Sequence, residues 1–390
     1  MKKLRILFLH DHLFLGGAAK AALRMRSIYR DLGHETLSVR GDRSVLPEQP
    51  SQIINGKPGL WDRLLEIPFS KADQNRSRQV RGITRFRQFL QTNPHDLIWF
   101  QNIAGAEKWG WSCNWIREAV NHAPVIITMH DMFYLGVRES YVWDRPVSPT
   151  RFGGLEPKEL HDLIQHKKLF VNAPSDWLRE LAKSLYGIDA GKLLVPLLAE
   201  QFAKMPKTKI SKEPTTYLVG ADNLADERKN ILPVLRLIHE SGILEKTNSQ
   251  VLCLGRNLSA DLCSDRIISL GHVENPKDYR KLFDRVHFLL HPSLIDNFPL
   301  IIQDSLALGC PVVALDRGGV AESVRNGITG SLLPEMTRET LEKVFVGNAK
   351  MSTESYGRLS QSCLNFSREN YSEESLKAGY ANYLSGVCPN

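Results

Sequence analysis

The 390-residue sequence is short of cysteine and has no long apolar run. Six cysteines (Cys113, Cys253, Cys263, Cys310, Cys363, Cys388) show no metal-ligand pairing and several sit in apolar runs, so reduced, buried thiols of a cytosolic protein are expected. The apolar run after Met1-Lys2-Lys3 ends at His10-Asp11-His12, too short for a signal peptide or a membrane span, and reads as a first strand. There is no period of repeat length and no long low-complexity tract, which removes solenoids and arrays. No GxGxxG follows the first strand, so a dinucleotide fingerprint is not supported. The charge is mixed, with 50 Lys and Arg against 43 Asp and Glu. Without any recognised module this speaks against nucleic-acid binding. The net +7 admits an anionic ligand or an anionic membrane surface without demanding either.

What is present is an alternation of short buried strands and amphipathic helices over a length that suggests two domains. In the first half, strands are expected at Leu4–Leu9, Leu37–Val39, Asp96–Phe100, Pro124–Met129, Leu169–Asn172 and Leu193–Leu198. A Lys- and Pro-rich tract, 201–214, reads as a linker. Strands resume at Tyr217–Gly220, Val251–Gly255, Ile267–Gly271, Val286–Leu290 and Val312–Leu315. The fold class expected is α/β, with domains at 1–200 and 215–365 and a C-terminal helical segment at 366–390.

The densest stretch is His291 to Leu333. Asn297 is expected to cap a helix that has Pro299 in its first turn and runs to Leu308, with Gly309 as its C-terminal cap. A strand turning into a helix gathers unpaired N–H groups and the positive dipole end at one place, which suits a phosphate. Asp304, about six residues into that helix, stands roughly 9 Å along the axis. That is about the span from a diphosphate to its ribose hydroxyls, with Asp296 on the other side of the phosphate. The pattern alone equally allows two solvated aspartates. Arg228 and Lys229 stand at another helix start, where the dipole disfavours cations unless an anion intervenes. A solvated pair is the alternative there.

Other features are open between a function and plain structure. Gly16-Gly17 opens a helix expected over Ala18–Asp31 and allows either a close ligand approach or tight packing. Arg76, Arg78, Arg81, Arg85 and Arg87 lie on one stretch; Arg78, Arg81 and Arg85 share a helical face, with Val80, Ile83 and Phe86 largely opposite. That face suits a lipid phosphate, an anionic membrane, or simply solvent. Trp109, Trp111 and Trp115 could stack on a sugar or anchor a loop to the core, the commoner use. His130 ends a buried strand and so faces the ligand crevice of an open α/β sheet. The long irregular tract Phe133–Glu156 reads as a functional or disordered loop and is expected to shape a binding pocket.

Taken together, Asp296 and Asp304, Gly309-Cys310-Pro311-Val312-Val313, Gly318-Gly319 and Asn326-Gly327 resemble the signature of the retaining, nucleotide-sugar-dependent glycosyltransferases of family GT4. The resemblance implies the GT-B fold, two Rossmann-like doubly wound domains facing a central cleft, with the final helices crossing back to the N-terminal domain. It implies transfer of a sugar with retention and without a metal or cofactor, from a UDP-sugar by preference or a GDP-sugar. The acceptor would be a hydroxyl of a glycan, a lipid-linked sugar or a small molecule, and the enzyme would be cytoplasmic, either free or peripheral at the inner face of an anionic membrane. His130, Asp296, Lys229 and Arg228 are then the catalytic set. Gly16, Gly17, Val273, Ser293, Asn297, Phe298, Pro299, Leu300 and Asp304 are the donor-binding set. Four departures stand out: Asp for the family's usual Glu at 296 and 304, Ala221 where an Arg is usual, no cysteine in 133–156, and no Asn-Gly turn at Leu198-Ala199-Glu200-Gln201. A sugar-phosphate synthase, a phosphorylase and a non-catalytic sugar-binding protein are the rival readings.

Overall fold

The computed structural model describes residues 2–11, 16–40, 51–53, 71–103, 111–137, 140–147, 159, 162–163, 165–195, 214–273 and 275–388. The expected linker falls outside these, apart from Pro214. The chain forms two compact units, Met1–Pro196 with Leu376–Asn390, and Leu197–Ser375. The segment that joins the N-terminal unit thus begins at Leu376 rather than at 366.

The N-terminal unit is built on β1 (Arg5–His10), β2 (Glu35–Arg40), β3 (Ser51–Ile53), β4 (Leu97–Phe100), β5 (Val125–Thr128), β6 (Leu169–Ala173) and β7 (Gly191–Lys192). They form one parallel sheet in the order β3-β2-β1-β4-β5-β6-β7. β4 and β5 are buried along their whole length, as strands of a parallel sheet covered on both faces must be. The expected strand Leu193–Leu198 is replaced by the two-residue β7; Leu193 to Val195 follow it outside any strand, and 196–198 lie outside the described residues.

Helix α1 (Gly16–Asp31) starts at the glycine pair itself rather than at Ala18 and covers β1 with Met25, Ile28 and Tyr29. Helix α2 (Lys71–Thr92) turns Gly82, Phe86, Phe89 and Leu90 inward, an i, i+4, i+7, i+8 stripe. Val80 is not on it, being 60% exposed. Phe86 stacks on Trp115 of α3 (Asn114–Ala119) at 4.3 Å, and Trp115 on Trp111 at 4.6 Å. Both tryptophans are fully buried, so they anchor the loop to the core and present no face to a sugar. Arg87 grips Glu118 through two hydrogen bonds of 2.9 and 2.7 Å, which ties α2 to α3. Helix α4 (Asp176–Tyr186) is capped by Ser175, whose Oγ accepts the Leu178 N–H.

The C-terminal unit has β8 (Thr215–Asn223), β9 (Ser249–Arg256), β10 (Ile267–Gly271), β11 (Phe288–His291), β12 (Val312–Leu315) and β13 (Gly330–Leu333). Its parallel sheet runs β10-β9-β8-β11-β12-β13. Helices α5 (Ile231–Ser241), α6 (Ile243–Lys246), α7 (Pro276–Asp284), α8 (Leu300–Ala307), α9 (Arg338–Lys350) and α10 (Thr353–Tyr371) belong to it. Its core gathers Tyr217, Val251, Phe288, Phe345 and Tyr356, with Tyr217 stacked on Phe345 at 4.0 Å.

Each sheet reverses its strand order once, between β1 and β4 in one unit and between β8 and β11 in the other. Ligands of open α/β sheets bind beyond the carboxyl ends of the strands at such a switch point. In each unit most of the candidate residues gather there, Val273 past the end of β10 being an exception.

Candidate active site

In the C-terminal unit, β11 ends at His291 and the loop 292–299 leads into α8. The helix begins later than the sequence suggests. Asn297 is not its cap; Pro299, with φ of −66°, occupies that position, and no side chain caps the end. Asn297 is instead buried within the loop, and its N–H donates to Asp296 Oδ1 at 3.0 Å. Gly220 on β8 lets α8 lie close: a Cβ there would stand 2.7 Å from Ile301 Cδ1. Gly309 ends the helix with φ of +66°, the left-handed conformation expected of a C-terminal glycine.

Beyond β8 the chain makes a short 3₁₀ turn, Glu227–Lys229, capped by Asp226 and followed by Asn230 at φ +54° before α5. The turn aims both cations at the head of α8. Lys229 Nζ lies 2.5 Å from Asp296 Oδ2, and Arg228 Nη1 lies 3.3 Å from the same oxygen and 3.1 Å from the Ile295 carbonyl. The pair is therefore neither solvated nor spread along a surface. Burial alone would raise the Asp296 pKa, but Lys229 and Arg228 hold it well below the usual carboxylate range. The loop behind Asp296 is fixed by glycine: Gly319 N–H donates to the Asp296 carbonyl at 2.9 Å, and Gly318, at φ +66°, leaves no room for a Cβ, which would stand 2.1 Å from that oxygen.

Two buried polar atoms of the segment leading to Asp296 lack a hydrogen-bond partner among the described residues, His291 Nε2 and Ser293 Oγ. Unsatisfied groups of this kind are uncommon in a folded interior and are completed by water, an ion or a ligand. Asp304, on the second turn of α8, is buried and accepts a hydrogen bond from Tyr279 Oη of α7 at 3.3 Å. Phe298 packs edge-on against Tyr371 at 5.8 Å, so it builds the loop from below. Leu300 opens α8 half-buried, and Val273 is half-buried just past Gly271, which takes φ +65° at the end of β10. In this unit His291 and Tyr279 join the site without being expected there; a strand-end position, where ligands of open α/β sheets bind, is a signal for His291, and no local pattern marks Tyr279.

In the N-terminal unit, His130 follows β5, and its Nε2 meets Gln101 Oε1 at 2.7 Å just beyond β4. Tyr134 Oη donates to the Gln101 carbonyl at 2.6 Å, and Tyr141 Oη to the His130 carbonyl at 3.3 Å. From the end of β1, His10 Nδ1 lies 3.0 Å from Asp11 Oδ1, and the Asp11 N–H donates to the Asn102 carbonyl at 2.8 Å. Asp131 caps the next turn through the Phe133 N–H at 2.8 Å and accepts from Asn102 Nδ2 at 3.4 Å. Burial, reinforced by His10 and opposed by Asp11, pushes His130 down to about 3, so the ring is neutral. Gly16 and Gly17 open α1 nearby in sequence. A Cβ at Gly17 would meet nothing within 4 Å, so tight packing does not explain that glycine. His10, Asp11 and Gln101 were not singled out from sequence; only the strand order brings them to His130. Among the described residues no group of three or more His, Cys, Asp or Glu is arranged to hold a metal ion, and no helix is long and apolar enough to cross a membrane.

Comparison with known proteins falls on this architecture. Residues 214–345 match the family model for Glycosyl transferases group 1. The chain is 31% identical over 245 residues to a D-inositol 3-phosphate glycosyltransferase of Rhodococcus erythropolis, covering 61% of this chain and 52% of that protein. It is 26% identical over 141 residues to a sucrose synthase of Melioribacter roseus, covering 35% and 16%. The chain thus spans about half or less of the length of these curated relatives. Among solved structures, HepE of Anabaena in complex with UDP and glucose superposes with a TM-score of 0.69 at 14% identity, over 98% of this chain and 99% of that one. The fold is GT-B, and within its C-terminal unit residues 214–345 are similar to the glycosyl transferases group 1 model.

Proposed function

We propose that the chain is a retaining glycosyltransferase that takes its sugar from a nucleoside diphosphate donor, UDP-linked by preference. The observation that carries this is the convergence of Lys229 and Arg228 on Asp296 at the head of α8, with the buried carboxylate of Asp304 one turn further along the same helix. Two cations beside a helix N-terminus are suited to a diphosphate, and Asp304 to a ribose hydroxyl.

In the reaction the bond between the anomeric carbon and the leaving phosphate oxygen breaks while the acceptor oxygen bonds that carbon from the same face. The acceptor's proton passes to the departing phosphate oxygen. Lys229, Arg228 and the loop N–H groups stabilise the growing negative charge, which is how this chain's own residues would serve without a metal. Asp296, tied to two cations, is a poor nucleophile and better placed to fix a sugar hydroxyl. Neutral His130 orients the sugar by hydrogen bonding. The group beyond β1, β4 and β5 is acidic or neutral at Asp11, Gln101, Asn102 and Asp131, which suits the hydroxyls of a neutral sugar more than a sugar phosphate.

The test is thermal-shift binding of UDP, GDP and their sugars, followed by donor turnover and NMR assignment of the product anomer. A stabilising nucleotide sugar and a product of unchanged anomeric configuration are expected. An inverted product would remove the retaining mechanism, and no response to any nucleotide would remove the donor.

A further inference from the structure

The Asp296 carboxylate occupies the groups that an anionic ligand at the head of α8 needs. Its Oδ1 takes the Asn297 N–H at 3.0 Å, and its Oδ2 takes Lys229 at 2.5 Å and Arg228 at 3.3 Å. The particular N–H groups this carboxylate holds are closed to a diphosphate until it turns away. Asp296 is buried, so once displaced it needs another donor, because a buried charge without a partner is strongly unfavourable.

His291 supplies that donor. It closes β11, is itself buried, and its Nε2 has no hydrogen-bond partner among the described residues while lying 3.7 Å from Asp296 Oδ2. That is beyond a hydrogen bond, but a shift of under about 1 Å brings it into range. The Asp296 backbone cannot follow, held as it is by Gly319 and filled in behind by Gly318. Only the side chain can turn. Burial pushes His291 down to about 3, so the ring is neutral, adds no positive charge beside Lys229, and donates when its proton is on Nε2.

We infer that His291 is a positioning residue, taking up the Asp296 carboxylate when a nucleoside diphosphate takes Lys229 and Arg228 from it. Asp296 is then a competitor of the diphosphate until it moves, and a fixed acceptor beside it afterwards. The inference rests on the proposed donor site and deepens it.

A binding cycle tests this. UDP and, in parallel, GDP are titrated calorimetrically into wild type, Asp296→Ala, His291→Phe and the double variant, with circular dichroism to confirm folding. Asp296→Asn and His291→Gln are the milder substitutes should either single variant misfold; His291→Gln also keeps an N–H donor near the Nε2 position. Asp296→Ala should bind the nucleotide several-fold more tightly, because the competitor is gone. His291→Phe should bind about tenfold more weakly, and His291→Gln close to wild type. On the Asp296→Ala background, His291→Phe should change nothing. Equal losses on both backgrounds would show a merely structural His291 and overturn the inference, as would weaker binding by Asp296→Ala. If wild type binds neither nucleotide, the proposed function falls and takes this inference with it; if wild type binds but the cycle is additive, only the inference falls.

Discussion

Lys229 Nζ and Asp296 Oδ2, 67 positions apart in sequence, meet at 2.5 Å across the β8–β11 switch point. The contact joins the two halves of the candidate phosphate site, one from the turn after β8 and one from the loop after β11. Lys229→Ala should therefore lower transfer by about a hundredfold to a thousandfold, the usual cost of removing one charge-stabilising donor. The melting temperature should fall little, since Arg228 still pairs Asp296 at 3.3 Å. Steady-state turnover beside a thermal melt separates the two effects, and wild-type turnover would refute the diphosphate assignment.

Asp304 and Tyr279 give a graded pair. Asp304→Ala should weaken nucleotide binding by about 1–3 kcal/mol, the cost of a charged hydrogen bond. Tyr279→Phe removes only the donor that steadies the carboxylate at 3.3 Å and should cost about 0.5–1.5 kcal/mol. Titration with the ribo- and 2′-deoxyribonucleotides checks both. Equal affinities for all three proteins would place the ribose elsewhere.

Gly318 should tolerate no side chain. At φ +66° an alanine is strained by about 1–2 kcal/mol, and its Cβ would also push on the Asp296 carbonyl from 2.1 Å. Gly318→Ala is expected to lose both stability and nucleotide affinity, whereas Gly327→Ala, with φ +73° but nothing within 4 Å, should lose only stability. Chemical denaturation and nucleotide titration of the two variants distinguish these outcomes.

Acid should weaken the fold before its carboxylates titrate. Burial holds His130 and His291 near 3, far below the value of about 6.5 for an unfolded histidine. Between those values the unfolded chain binds more protons than the folded one. Stability is therefore full above about pH 6.5 and falls as pH drops toward 3, by up to about 1.4 kcal/mol per pH unit for each histidine. Denaturant midpoints at pH 7.5, 6.5 and 5.5 read the slope. His291→Gln should flatten it, and a slope unchanged by that substitution would mean His291 titrates normally.

The outer face of α2 carries the membrane expectation. Arg81 and Arg85 are exposed there with Val80, while Arg87 is spent on Glu118. Sedimentation with vesicles rich in phosphatidylglycerol should exceed that with neutral vesicles, and Arg81→Glu with Arg85→Glu should abolish the difference. Equal sedimentation by wild type with both vesicles would leave the face to solvent.

Much of this fold can be read from sequence because parallel strands write themselves as continuous apolar runs. Val312–Leu315 and Ile267–Gly271 are found at their expected positions. Helix starts were harder where polar residues serve the site. Asn297 has the side chain of a cap, but its backbone belongs to the loop that carries Asp296, and α8 waits until Leu300. Within the candidate site, the cations and carboxylates were visible as residue types, yet their pairing was not. Lys229 meeting Asp296, or Asp11 lying near His130, follows from a strand order that no local pattern encodes. Of the three apolar residues expected largely opposite the arginines of α2, Phe86 lies on its buried stripe and Val80 does not.

The last helix, α11 (Glu373–Val387), lends Leu376, Tyr380, Leu384 and Val387 to the core of the N-terminal unit. Tyr380 packs on Tyr29 at 5.2 Å and donates to the Leu194 carbonyl at 2.9 Å. During synthesis these residues follow the whole of Leu197–Ser375. Tyr29 and Trp99 must keep an uncovered flank while all of Leu197–Ser375 is made, a delay of roughly 10–40 s at about 5–20 residues per second. The continuous C-terminal unit has its whole complement first. The N-terminal unit thus completes its core only after the continuous C-terminal unit has been made, and until then its open flank is exposed to association with other chains.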